Sequence, residues 1–104
     1  MKALVWVGLC NGADSTFVAT VQPFATLPNV YGFYLMDEPD PTGMSSPPAC
    51  PASNLKAESD WIHGNVPGAK TFIVMMNLGS ATAPSYANSY GPSNTGIDLY
   101  GLGP

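Results

Sequence analysis

The segment VYGFYLMDEPDPTG, residues Val30 to Gly43, changes character at Asp37. Seven aromatic, apolar or glycine residues run without polar alternation, and then three of the chain's seven acids fall within four positions, interleaved with prolines. An unbroken apolar run of this length bounded by Asn29 and the prolines is the pattern of a strand covered on both faces, hence of a parallel sheet. Because side chains alternate along a strand, Gly32, Tyr34, Met36 and Glu38 are expected on one side and Tyr31, Phe33, Leu35 and Asp37 on the other. With the bulky side against helices, Glu38 would stand at the carboxyl end of its strand.

Three further segments carry the same signature: Ala3 to Leu9 (ALVWVGL), Thr71 to Asn77 (TFIVMMN) and Ile97 to Leu102 (IDLYGL). The strand starts are spaced on average about thirty residues apart, the length of a βαβ unit. Between the second and third, SNLKAESDWIHGNVPG reads as a helix, with a Ser53/Asn54 cap, Leu55, Ile62 and Val66 at helical spacing, and Gly64 and Pro67 near its stop. Asp14 or Ser15 caps a shorter helix carrying Phe17, Val21 and Phe24, which Pro23 kinks or ends. The last connection, GSATAPSYANSYGPSNTG, is loop-like, with two turns from Pro84 carrying Tyr86 and Tyr90.

Three βα units and a fourth strand form either an open doubly wound sheet or an arc of a (β/α)8 barrel. GLCNGADS after the first strand lacks the G-x-G-x-x-G phosphate spacing, which disfavours the nucleotide-binding version of the open sheet. The expected fold is α/β: a partial (β/α)8 (TIM) barrel of about four parallel strands and two to three helices, one domain spanning residues 1–104.

Composition narrows the function. Charged residues are 10% of 104, the net charge is −4, and the three cations are all lysine. Nothing here builds a phosphate-neutralising stripe, so nucleic acid is not an expected partner. No stretch approaches the ~20 apolar residues of a membrane span. The opening MKALVWVGLC has a short apolar run and Leu9 before the cysteine, and reads as a strand in preference to a secretion signal. Cys10 and Cys50 fit one disulfide or two buried thiols by spacing alone. Both follow strands ending at the same side of the sheet, in neighbouring loops, so a Cys10–Cys50 disulfide in an oxidising compartment is expected.

At the carboxyl ends of barrel strands enzymes place their catalytic groups. Glycosidic cleavage needs a carboxylic acid to protonate the leaving oxygen and a second carboxyl as nucleophile or base. Glu38, between Asp37 and Asp40, suits the acid, since neighbouring negative charge keeps it protonated. Trp6, Tyr34 and Tyr100 are flat surfaces on which sugar rings pack, and Asn77, ending the third strand at the same face, either contacts substrate or starts a turn.

VYGFYLMDEPD following a βα unit resembles the fourth-strand motif of secreted (β/α)8 glycoside hydrolases, in which Asp-Glu-Pro or Asn-Glu-Pro closes that strand. IHGNVPGAKTFIVMMN and GIDLYGLGP resemble the next helix–strand pair and the sixth strand, so the likeness covers nearly the whole chain. It implies a hydrolase of carbohydrate metabolism, extracellular, with Glu38 as general acid/base and no cofactor. Asp37 stands where the best-known clan has an asparagine that bonds the sugar. The family's nucleophile comes from a seventh strand, to which no residue here corresponds. The chain is thus expected to be an internal piece of the barrel, strands three to six, inactive on its own and self-associating through open sheet edges.

Other readings of the acids remain open: a solvated loop stiffened by Pro39 and Pro41, a calcium site from Asp37, Glu38 and Asp40, or a carboxylate that only binds carbohydrate. His63 has no partner at ligand spacing and is expected on the surface. Met75 and Met76 read as core filling, and Trp61 as packing on its helix.

Overall fold

The computed structural model describes residues 2–41, 49–75 and 90–102. Four strands, β1 (Ala3–Trp6), β2 (Val30–Asp37), β3 (Lys70–Met75) and β4 (Leu99–Leu102), form one parallel sheet in the order β1-β2-β3-β4. Helices α1 (Ser15–Val21), α2 (Ala52–Asn65) and α3 (Pro92–Thr95) lie in the three connections. Parallel crossovers are right-handed, so a sheet whose strands follow chain order without reversal collects its helices on one face. Phe33, Leu35 and Ile73 from the sheet and Phe17, Val21, Leu55 and Ile62 from the helices are fully buried in that layer.

Among the described residues nothing covers the opposite face. Leu4 is 43% exposed, Trp6 55% and Leu99 39%. An α/β sheet normally buries both faces, which is why all four strands are apolar throughout. Here, among the described residues, one face is packed and the other is open.

Local sequence explains most boundaries. The Asp14 side chain accepts the Phe17 N–H at 2.8 Å, capping α1, and Pro23 falls in a short 3₁₀ turn (Gln22–Phe24) that follows. Past Trp6 the first strand loses strand geometry before Leu9, yet Val7 and Gly8 still donate N–H bonds to Tyr34 and Leu35 carbonyls. Gly8, at φ +69, then turns the chain and leaves the space that the Trp6 indole fills: a Cβ there would lie 2.5 Å from the ring.

Three expectations are corrected. Helix α2 begins at Ala52 behind an extended Pro51, and no Ser53 or Asn54 side chain caps it, because Asn54 instead donates to the Cys10 carbonyl at 3.0 Å. A short helix that the loop-like reading overlooked, α3, starts on Pro92 and stops at Gly96, whose φ of +69 is the left-handed stop glycine allows. Strand β4 begins at Leu99, two residues later than expected, since Ile97 is buried in the turn after α3. The turns expected from Pro84, with Tyr86, lie outside the described residues.

The fourth correction bears on the site. The β2–β3 register runs Phe33↔Thr71 and Tyr34↔Phe72, then shifts to Met36↔Ile73 and Asp37↔Val74. This irregularity breaks the strict alternation, so beyond Leu35 the sides exchange. Asp37, not Glu38, shares the uncovered face with Tyr34, and the Tyr34 hydroxyl donates to Asp37 Oδ1 at 2.7 Å.

Candidate functional site

The uncovered face carries an aromatic row along one level of the sheet. Trp6 and Tyr34 meet edge to face with ring centroids 4.9 Å apart, and Tyr34 and Phe72 do the same at 5.0 Å. Such pairs hold ring orientation, each contributing about 0.5–1.5 kcal/mol beyond burial. Beyond Phe72, Gly101 keeps the surface low: a Cβ there would stand 3.0 Å from the Phe72 ring and 3.2 Å from Val74. The result is a shallow platform of flat rings bordered by small residues.

At the carboxyl end of β2 the row meets the acids. Burial, then the hydrogen bond to Asp37 and the charges of Asp37 and Glu38 push the Tyr34 hydroxyl up to about 12, so it stays a donor throughout the physiological range. Glu38 has a left-handed backbone, φ 48, rare for a residue with a long side chain. Its N–H is fixed by the Val74 carbonyl at 2.7 Å, and among the described residues nothing hydrogen-bonds its carboxylate. Strain of this kind persists only where surrounding structure enforces it, and it concentrates at functional sites. The solvated-loop reading does not fit the residues that follow: Pro39 and Asp40 are buried, and the Asp40 carbonyl accepts the Cys50 N–H at 2.8 Å. Nor do the acids converge as a cation site, since among the described residues no three His, Cys, Asp or Glu side chains gather.

A disulfide joins Cys10 to Cys50, Cα to Cα 5.8 Å, tying the β1–α1 loop to the start of α2. Two side chains one turn apart on α2 reinforce the tie: Asn54 on the Cys10 carbonyl, and Glu58, whose Oε2 accepts the Gly12 N–H at 3.1 Å. Glu58 is fully buried and its Oε1 has no partner among the described residues. Desolvation pushes its carboxyl up to about 7, against the Gly12 and Asn11 N–H groups and with help from the Asp14 charge. Tyr90, fully buried, closes the same corner by donating to the Cys50 carbonyl at 2.6 Å.

Trp6, Tyr34, Asp37 and Glu38 are therefore brought together. Tyr100 is not. It pairs in register with Ile73 of the helix side, and its hydroxyl donates to the Tyr90 carbonyl at 2.6 Å. Asn77 lies outside the described residues, as does Met76. Asp98 sits at the amino end of the sheet, where its Oδ2 is 2.6 Å from His63 Nε2 and accepts the Thr71 N–H at 2.8 Å. Burial raises the Asp98 carboxyl, but the His63 and Thr71 hydrogen bonds outweigh it and hold it below its ordinary value. His63 is exposed as expected but is not isolated: it joins a network in which Thr71 Oγ1 meets Ser59 Oγ at 2.8 Å. Sequence reading passed over Phe72, Glu58 and this network. Only Phe72 left a signal, its parity within the third strand. The contacts of Glu58 and Asp98 span 46 and 35 residues and leave no local pattern.

Among known protein families, curated proteins and solved structures, none matches the chain. The geometry of the site is what remains to argue from.

Proposed function

We propose that the chain is a four-stranded arc of a (β/α)8 glycoside-hydrolase-like barrel whose uncovered face binds carbohydrate, with Glu38 as the general acid/base. The observation that carries this reading is the junction at the end of β2. An aromatic platform of Trp6, Tyr34 and Phe72 runs into Asp37 and the strained Glu38. Sheet order supports the barrel over a doubly wound sheet, since a doubly wound sheet reverses its strand order and places helices on both faces, whereas β1-β2-β3-β4 does not reverse.

In the proposed chemistry the Trp6 and Tyr34 rings stack against the apolar faces of sugar rings, and Asp37 accepts from sugar hydroxyls. The Glu38 carboxylic acid gives its proton to the glycosidic oxygen as that bond breaks. A second carboxylate then takes the anomeric carbon directly or through water. The disulfide supports an exported protein, because disulfides persist in oxidising compartments.

A second reading, binding without hydrolysis, is favoured by one observation. Asp98, the acid just before β4, lies with His63 at the opposite end of the sheet from Glu38, and so does not face it as a second carboxylate. The variant Glu38→Gln separates the two. General acid catalysis contributes about 10²–10⁴-fold, so in a closed barrel that turns over glycosides the variant should lose that factor in kcat while retaining affinity. Unchanged turnover would remove Glu38 from the mechanism.

A further inference from the structure

We infer that the Cys10–Cys50 disulfide is a positioning device for Glu38: the bridge clamps residues 38–40 in a strained backbone, and its reduction releases Glu38 and disables the site. The consequence for turnover rests on the role proposed above for Glu38, while the clamp stands on geometry alone. Three observations point to it.

The first is where the strain lies. Among the described residues two that are not glycine have a positive φ, Cys10 at 52 and Glu38 at 48. Left-handed backbone is costly for any residue with a Cβ. Glu38 carries a second burden, because Pro39 follows it and a residue before proline is driven toward extended backbone. Left to itself, Glu38 would relax.

The second is the path that prevents relaxation. On one side the Glu38 N–H is held by the Val74 carbonyl of β3 at 2.7 Å. On the other, Pro39 has a fixed φ and the Asp40 carbonyl accepts the Cys50 N–H at 2.8 Å. Cys50 is joined through sulfur to Cys10, and the chain around Cys10 is anchored twice. Gly8 donates to the Leu35 carbonyl at 3.0 Å, and Asn54 to the Cys10 carbonyl at 3.0 Å. Residues 38–40 are thus held between β3 and a covalent bridge pinned beside the end of β2. The two left-handed residues stand at the two ends of this path.

The third is that hydrogen bonds alone do not suffice. Without the bridge Cys50 keeps its N–H on Asp40 and its carbonyl on the Tyr90 hydroxyl at 2.6 Å. One such bond contributes, net, no more than one left-handed residue costs, and here two residues are left-handed. The covalent link is what over-determines them. Phe33, Leu55, Ile62 and Ile73, all fully buried, join the sheet to α2 independently of it, so the release is local. Reduction takes two electrons and two protons from a dithiol, which leaves as a disulfide, and the Cys10–Cys50 bond becomes two thiols.

The experiment is nuclear magnetic resonance of the isotope-labelled chain before and after dithiothreitol, with the double variant Cys10→Ser, Cys50→Ser as the irreversible counterpart. The Glu38 HN–Hα coupling and Cα shift should leave left-handed values for extended ones, while the Phe33 and Ile73 amides stay in place. A Glu38 that keeps its left-handed signature in the reduced chain would overturn the clamp. So would loss of the whole spectrum, which would make the bridge a brace of the fold at large. Coupling also runs in reverse. Glu38→Gly, free of the left-handed penalty, should shift exchange with dithiothreitol up to about fivefold toward the bridge. No shift, or a shift toward the thiols, would count against the clamp equally. None of these readouts needs a sugar. A released Glu38 in a protein that binds no oligosaccharide leaves the clamp standing and removes the function proposed above.

Discussion

Glu58 makes the stability of the fold depend on pH in a direction opposite to that of most carboxylates. Its folded value of about 7 stands above the ordinary 4.5 because burial strips solvent from the charged form and only one oxygen is bonded. A raised value means the folded state holds a proton that the unfolded chain releases, so the contribution is complete below pH 4.5 and vanishes as pH rises through about 7. At 1.36 kcal/mol per unit, integration between these two values makes the protein more stable at pH 5 than at pH 8 by on the order of 2–3 kcal/mol. Asp98, held below its ordinary 3.8, runs the other way, its contribution being lost only at still lower pH. Urea unfolding of the oxidised protein at pH 5, 6, 7 and 8 should therefore show a falling midpoint, and Glu58→Gln should flatten it and stabilise the protein at pH 8. A midpoint that rises across this range, or a slope that survives Glu58→Gln, would refute the assignment of the slope to this side chain.

Other outcomes follow from the same geometry. Reducing the disulfide frees a loop of 40 residues, and chain entropy sets the loss at about 4 kcal/mol; an unchanged denaturation midpoint in reductant would show that the Cys10–Cys50 tie contributes nothing. Asp98→Asn removes a charged acceptor from both His63 and the Thr71 N–H and should cost on the order of 1.5–3 kcal/mol in thermal unfolding. Because Glu38 occupies left-handed backbone, Glu38→Gly should raise stability by up to about 1 kcal/mol even as it removes the acid; a clear loss of stability would mean that this conformation carries no strain.

Sequence reached the sheet because its signal is dense. Apolar runs such as Thr71 to Met75 have no alternative reading at that length, and their spacing leaves room for one helix each. Asp14 and Pro23 acted as local rules say they should, and the disulfide followed from the parallel topology. Reading failed where a side chain had two uses. Asn54 is as good a cap as any by type, yet it is spent on the Cys10 carbonyl, a partner 44 residues away. It failed again where one residue of irregularity in β2 exchanged the faces of Asp37 and Glu38, since alternation cannot reveal where a register slips. Tyr100 was grouped with Trp6 and Tyr34 by residue type alone, and its register with Ile73 separates it from them.

The most direct test of the central claim is a titration of the isotope-labelled protein with a panel of oligosaccharides, read as amide and aromatic chemical-shift changes residue by residue. The account predicts a saturable response confined to Trp6, Tyr34, Phe72, Asp37 and Glu38, and abolished by Trp6→Ala. No response to any sugar, or one located on the helix side around Trp61 and His63, would contradict it.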